Sequence, residues 1–307
     1  MDIGKRLLGA ADAVGCLIVG PFFVGGWSVE GVLKKGAELK KRGYKVTYNL
    51  LGEHVKERRA VEQALQTTLR LVEKMDQSNS GNVAIKPTLY GLFISRGLFH
   101  KTAEQIVECA MAHGIEVEFD AEMRSVIADT FKIFSEFARR FPHRNFVRQC
   151  VQAHLRDIFD LMDEYELWDK QLRVVKGAGV YEEAEEVVLK DAGEIMRQYW
   201  EIAERNYSIE GQVPQIATMR DESIPARAAS LSPKSYIRPY RSVIQTLYGP
   251  IGRGLRKKLL EDGRDVKVYI PFVSSPCDFS WFGYGMRRAS MMRRLVWEET
   301  KNKFKEV

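Results

Sequence analysis

Arg287 and Arg288 are adjacent in the run Tyr284-Gly285-Met286-Arg287-Arg288, near the end of a 307-residue chain. Neighbours on a helix diverge by about 100°, so two such guanidiniums cannot both lie flat on one apolar face. At the mouth of a strand–helix unit both can reach a carboxylate held above the strand ends, a task suited to arginine's planar fork. Taken alone, the pair is more plainly explained as a solvated basic helix start running on into Arg293 and Arg294. Other polar residues close predicted strands along the chain: Asn49 and Glu53, Lys86, Asp120 and Glu122, Gln152, Arg173 and Lys176, Gln215 and Thr218, Tyr248 and Tyr269. Each has a bland role available; Asp120, for instance, could N-cap the next helix. Together they gather Lys86, Arg173, Lys176 and the arginine pair around one mouth, with few acids opposite. Such a mouth suits an anionic ligand, either a phosphate-bearing cofactor, a carboxylate substrate, or both.

The elements that must position these groups alternate. Strands are predicted at 44–49, 82–86, 115–120, 145–151, 172–176 and 213–218, with a weaker one at 242–247 and a last one at VKVYIPF. Helices are predicted at 28–42 (Ser28 as N-cap, Gly43 after its end), 54–75, 102–113, 124–140, after the fourth strand to 166, at 182–205 and at about 284–303. Strands alternating with helices imply a parallel sheet. Eight units over this length suit an α/β protein of the (β/α)8 TIM-barrel type, whose chemistry sits at the C-terminal strand ends. An open doubly wound sheet competes, but no GxGxxG follows the first strand. The predicted division is a helical N-terminal segment, 1–43, packing on a barrel at 44–307, with the last helix over the barrel mouth.

Composition excludes several classes. With 45% hydrophobic and 29% charged residues the chain is an ordinary globular protein. Most of its surplus of +6 is scattered, apart from Lys34 to Arg42 and the last two helical turns, and it is not laid along a helix with interleaved aromatics, which argues against nucleic acid. Cys16, Cys109, Cys150 and Cys277 are far apart, which favours a reducing compartment over a disulfide scaffold or zinc site. Residues 13–27 are apolar but broken by Gly and Pro, too short to span a bilayer convincingly. They read as a packing segment, with a membrane-surface contact as the minority alternative.

The ordered set of motifs resembles the proline dehydrogenase family. IKPTLYG is similar to its lysine-bearing second strand, EFDAE to its Asp-Ala-Glu, VQAHLRD to its Gln-Ala-Tyr-Leu-Arg-Asp, and LRVVKGAG to its Arg-Leu-Val-Lys-Gly-Ala-Tyr. QIATMRD, QTLYG, and YIPF followed by YGMRRAS continue the series in the same order. The resemblance implies a monofunctional FAD enzyme of proline catabolism, cytoplasmic or peripheral at the inner face of a membrane. It would oxidise L-proline to Δ1-pyrroline-5-carboxylate and pass electrons to a quinone. It further implies that Lys86, Arg287 and Arg288 clamp the substrate carboxylate, that Tyr269 and Tyr284 wall the ring, and that Asp120 orients the cations. Gln152, Arg173, Lys176 and Thr218 would hold the flavin, with Gly177, Ala178 and Gln215 in the same site. Departures are Gly179 for the family's tyrosine (Tyr181 stands two residues on), His154 for another tyrosine, Met219 for its histidine, and Met291-Met292 for its Glu-Asn. These leave three alternatives open: proline itself, a modified proline or other cyclic amino acid, or a non-catalytic barrel that has lost FAD.

Overall fold

The computed structural model describes residues 20–141, 146–219, 221, 223–230, 242–274 and 284–287. Within them eight parallel strands close into a barrel in sequence order: β1 (Lys45–Leu50), β2 (Asn82–Ile85), β3 (Val117–Phe119), β4 (Val147–Gln152), β5 (Leu172–Val175), β6 (Gln215–Ala217), β7 (Val243–Leu247) and β8 (Val266–Phe272). β8 returns to β1 over the register Lys45↔Lys267 to Leu50↔Phe272, which closes the ring. The predicted fold class is the observed one.

Helix α1 (Val29–Lys41) precedes the barrel, and α2 (Arg58–Glu73), α3 (Arg96–Ala112), α4 (Arg124–Arg140), α5 (Ile158–Glu164), α6 (Ala192–Ser208), α7 (Ser223–Ser230) and α8 (Arg253–Glu261) follow β1 to β7 in turn. Local chemistry explains where the boundaries depart from expectation. α3 starts earlier than predicted because Ser95 Oγ accepts from Leu98 N at 3.1 Å, an N-cap upstream of the apolar periodicity. α6 starts later because its cap is Asp191, which accepts from Glu194 N at 2.8 Å. The stretch between β5 and α6 therefore stays irregular above the barrel, with Gly177 and Gly179 at φ +83° and +74°. The short α7 and α8 carry too few turns for their periodicity to stand out.

Alternate strand residues face opposite sides. The outward set is apolar and packs under the helices; Phe119 meets Phe99, Phe134 and Phe137 at centroid distances of 6.2, 5.6 and 5.9 Å. All four rings are fully buried, and such side chains contribute roughly 1.5–3 kcal/mol each. The inward set is polar where such barrels ordinarily stack branched aliphatics. Thr47, Glu118, Arg148, Arg173, Gln245 and Lys267 are all buried there.

The N-terminal segment docks at the mouth. Gly25 N donates to Pro271 O at 2.7 Å, Gly26 bridges Phe272, and Val273 N donates to Gly26 O at 3.1 Å. Phe23 and Val24 then pack with Leu51, Val273 and Tyr284. A 3-10 turn, Gly20–Phe23, and an extended step lead into α1. Residues 284–287 are helical; the remainder of the predicted last helix, including Arg288, lies outside the described residues.

Candidate active site

A cavity of about 660 Å³ opens at the C-terminal ends of the strands, within the range that takes small ligands and cofactors. Its wall includes Lys86, Asp120, Tyr269, Tyr284 and Arg287, the described members of the predicted substrate site. Gln152, Arg173, Lys176, Gly177, Ala178 and Thr218 also line it. Gln215 does not. It is the first residue of β6, so its side chain enters the barrel interior beneath the cavity. With the amide turned to satisfy both ends, its oxygen accepts from Arg148 Nε and Lys267 Nζ, each at 2.7 Å. Gln215 is therefore a barrel-filling residue, and its placement in the cofactor site is corrected; the QIATMRD motif starts one layer below the mouth.

Asp120 is the junction of the cavity floor. It accepts from Arg173 Nη2, from the Tyr269 hydroxyl, and pairs with Lys86 Nζ at 3.4 Å. The Arg173 guanidinium also lies over the Tyr269 ring, 5.1 Å from its centroid. Asp120 thus joins two cations and a phenol from three different strand ends. Burial pushes the Tyr269 phenol well above its usual range, and the Asp120 carboxylate pushes it further, so the ring stays neutral.

Lys86 stands at the end of β2 with 13% of its side chain exposed. Burial works against its charge. Tyr181 and the Asp120, Glu53 and Glu122 carboxylates outweigh it, so the ammonium is held well above its usual range. Arg287 pairs with Glu53 Oε1 at 2.5 Å, and the Tyr181 hydroxyl donates to Glu53 Oε2 at 3.4 Å. Glu53 follows the first strand in sequence, and its spacing alone assigns it no partner. Tyr181 lines the same wall and lies under Arg287, 6.0 Å from the guanidinium carbon to the ring centroid. An aromatic is thus present beside the cations even though Gly179 replaces the one the resemblance led us to expect.

Glu122 holds the turn that presents Lys86: Thr88 N and Thr88 Oγ1 donate to its two oxygens at 2.7 and 2.8 Å. Burial raises this carboxyl to about 7, against the pull of Lys86 and the two Thr88 bonds and with the help of Glu53. A folded pKa above the unfolded one means the native state holds the proton more tightly. Stability should therefore fall as pH rises from about 4.5 to about 7, by roughly 3 kcal/mol from this group. Glu122→Gln should flatten that slope. Urea denaturation of both proteins at pH 5 and pH 8 measures it, and equal slopes would refute the assignment.

Asn49 Oδ1, Gln152 Oε1, Arg173 Nε and Thr246 Oγ1 are buried without a partner, and their residues all line the cavity. Buried polar atoms are ordinarily paired, so this wall is set to receive donors and acceptors from a ligand's edge. The β5 turn comes in close because Gly177 has no Cβ; one there would stand 2.3 Å from His154 Nδ1. At the rim Lys176 Nζ pairs with Asp221 at 2.7 Å and is 40% exposed, a cation within reach of a phosphate. A flat heterocycle with a polar edge and a phosphate tail fits this donor set, which is the chemistry of FAD. Met219 also lines the wall, at the position of the histidine in the family's motif, and its thioether has no proton to donate. No group of His, Cys, Asp and Glu among the described residues could hold a metal ion.

Comparisons with known proteins agree with this geometry. A search of curated proteins finds proline dehydrogenase 2 of Bacillus subtilis (strain 168), 28% identical over 269 residues, covering 86% of this chain and 84% of that one. The carbapenem antibiotics biosynthesis protein CarD of Pectobacterium carotovorum is 24% identical over 306 residues, covering 88% and 78%. Among solved structures, proline utilization A from Bdellovibrio bacteriovorus, inactivated by N-propargylglycine, superposes with a TM-score of 0.76 at 22% identity. That match covers 88% of this chain and 32% of the longer protein, and supports the fold. The family model for proline dehydrogenase matches residues 32–290, which takes in all eight strands and the cavity they carry: the chain belongs to the proline dehydrogenase family.

Proposed function

We propose that this chain oxidises L-proline to Δ1-pyrroline-5-carboxylate with FAD as its resident cofactor and a quinone as electron acceptor. The observation that carries the reading is the division of one cavity into a cationic corner, Lys86 and Arg287, and a wall of unpaired buried polar atoms. The corner takes the substrate carboxylate; Arg287 exchanges Glu53 for it, and Arg288, adjacent in sequence, joins the clamp. Tyr269, Tyr284 and Tyr181 exclude water from the ring. Asp120 keeps Lys86, Arg173 and Tyr269 in register through substrate binding. Gln152, Arg173, Thr218 and the Lys176-Gly177-Ala178 turn hold the cofactor. FAD, when bound, supplies the acceptor for the hydride that leaves the ring carbon. The amine proton goes to solvent, which balances a two-electron oxidation of the C–N bond.

A modified proline or another cyclic amino acid is the second reading. It is favoured by the rim at Ala178–Val180, where Gly179 carries no side chain and Val180 is 40% exposed. We place the protein in the cytoplasm with a peripheral membrane contact for quinone access. Among the described residues no helix is long and apolar enough to cross a membrane.

The visible spectrum of the purified protein under anaerobic conditions, before and after L-proline, tests the reading. A flavin band that bleaches is the expected result. A band that persists with proline but bleaches with a substituted proline selects the second reading. No band, and none after adding FAD, overturns both.

A further inference from the structure

Beneath the cavity the charges alternate in a column. Arg148 pairs with Glu116 at 2.9 Å, Glu116 with Lys267 at 3.9 Å, Lys267 with Glu118 at 3.3 Å, and Glu118 with Arg173 at 2.9 Å. Arg173 pairs with Asp120, and Asp120 with Lys86 at 3.4 Å. Glu118 is the hub. It is fully buried, does not line the cavity, and accepts from Thr47 Oγ1, Asn82 Nδ2, Arg173 Nη1, Gln245 Nε2 and Lys267 Nζ at 2.9 to 3.3 Å. Those donors come from β1, β2, β5, β7 and β8. A carboxylate held by so many strands has no freedom to follow its partner.

We propose that Glu118 is a positioning residue: it fixes the Arg173 guanidinium at the cavity floor and sets how much positive charge that floor presents to the cofactor and substrate. The guanidinium is caught between Glu118 on Nη1 and Asp120 on Nη2, with its buried Nε the donor left over. Two carboxylates on one fork leave it little torsional freedom. They also offset its charge, so the floor behaves as a nearly neutral donor. Removing Glu118's charge while keeping its shape makes the floor more positive, and a more positive floor favours a reduced, anionic flavin. The part of the inference that concerns the cofactor rests on the function proposed above.

The test compares Glu118→Gln, Glu118→Asp and Lys267→Met in the protein as purified. Where flavin is bound, the readout is its midpoint potential. Glu118→Gln should shift the equilibrium toward reduced flavin by about tenfold, or about 30 mV for a two-electron couple. Glu118→Asp, which keeps the charge, should stay near wild type. Lys267→Met, which uncovers Glu118's charge, should shift the other way, and it decides the matter if Glu118→Gln does not fold. A role confined to packing would lower stability in both Glu118 variants and leave the potential unmoved; that result overturns the proposal.

Should the wild type bind no flavin, the functional reading fails, and the Glu118 inference is decided separately at Cys150. This free thiol lines the cavity and lies across from Arg173 in the β4–β5 register. The charged groups near it are Arg173 and Asp120. The pH profile of its conversion to the methyl mixed disulfide by methyl methanethiosulfonate, which releases methanesulfinate, read by peptide mass spectrometry, should move to lower pH in Glu118→Gln and to higher pH in Lys267→Met. Coincident profiles in all three proteins would overturn the proposal.

Discussion

Asp120→Ala should lower unfolding stability by about 3–5 kcal/mol, the range observed when one member of a buried ion pair is deleted. Asp120 is 4% exposed and serves three partners at once, Arg173, Tyr269 and Lys86. Its loss leaves Arg173 with Glu118 alone and strips Lys86 of its nearest carboxylate, while the two side chains are only 6% and 13% exposed. Glu53 and Glu122 act on Lys86 as well, but Glu53 is engaged by Arg287 and Glu122 by Thr88. The cost therefore falls on two largely buried cations that each lose a carboxylate, more than a single cap or surface pair could produce. Asp120→Asn should cost less, since an amide oxygen can still accept from one donor. Equilibrium urea denaturation measures both. A loss below about 1 kcal/mol for the alanine variant would mean that the floor relaxes around the gap and that Asp120 is not its junction.

The barrel was legible because its outward half obeys simple rules: Val46, Tyr48 and Leu50 on β1, or Val266, Val268 and Ile270 on β8, alternate with residues that face in. The inward half was legible only at the mouth. Lys86, Asp120 and Tyr269 stand at strand ends, where such barrels do their chemistry, and the structure brings them within hydrogen-bonding or ion-pairing range around Asp120. The layer below carried a signal that strand-end reasoning passes over. In IEVEFDAE the carboxylates recur at every second residue, Glu116, Glu118, Asp120 and Glu122. In a strand that spacing lays them on one face, and a face that acidic inside a barrel demands cations from its neighbours. Arg148, Arg173 and Lys267 answer it from three other strands. Treating Gln215 as a mouth residue came from the same omission, since position along the strand decides which layer a polar side chain enters. Glu53 and Tyr181 were harder to read. Their meeting depends on two loops, after β1 and β5, whose paths follow from backbone turns such as His54 at φ +61° and Gly179 at φ +74°. Periodicity has no access to such turns.

Lys86→Met should reduce kcat/KM for the proposed substrate by roughly 30-fold to several thousand-fold, the effect of truncating one side of a desolvated charge pair at about 2–5 kcal/mol. Methionine keeps the length and the apolar stem, so the change isolates the ammonium. Lys86 is the cation that Glu122 places: the carboxylate grips Thr88, two residues on, and Leu89 N and Tyr90 N donate back to Lys86 O at 2.9 and 3.2 Å. A charge presented by so constrained a turn cannot be replaced by a neighbour swinging in. Arg287 retains Glu53 in the variant, and Arg173 retains both Glu118 and Asp120, so the floor survives the substitution. The loss should appear chiefly in KM, because the carboxylate contact is made equally in the ground and transition states. Flavin content should remain near wild type, because the unpaired wall of Asn49, Gln152, Arg173 and Thr246 is untouched. Anaerobic rapid-mixing measurements of flavin reduction across a range of L-proline concentrations separate the two parameters. A KM within about threefold of wild type, less than 1 kcal/mol of binding, would show that the carboxylate is held elsewhere. A fall in the limiting reduction rate at unchanged KM would instead assign Lys86 to the transition state, where its charge would be opposing or guiding the departing hydride and not anchoring the ring.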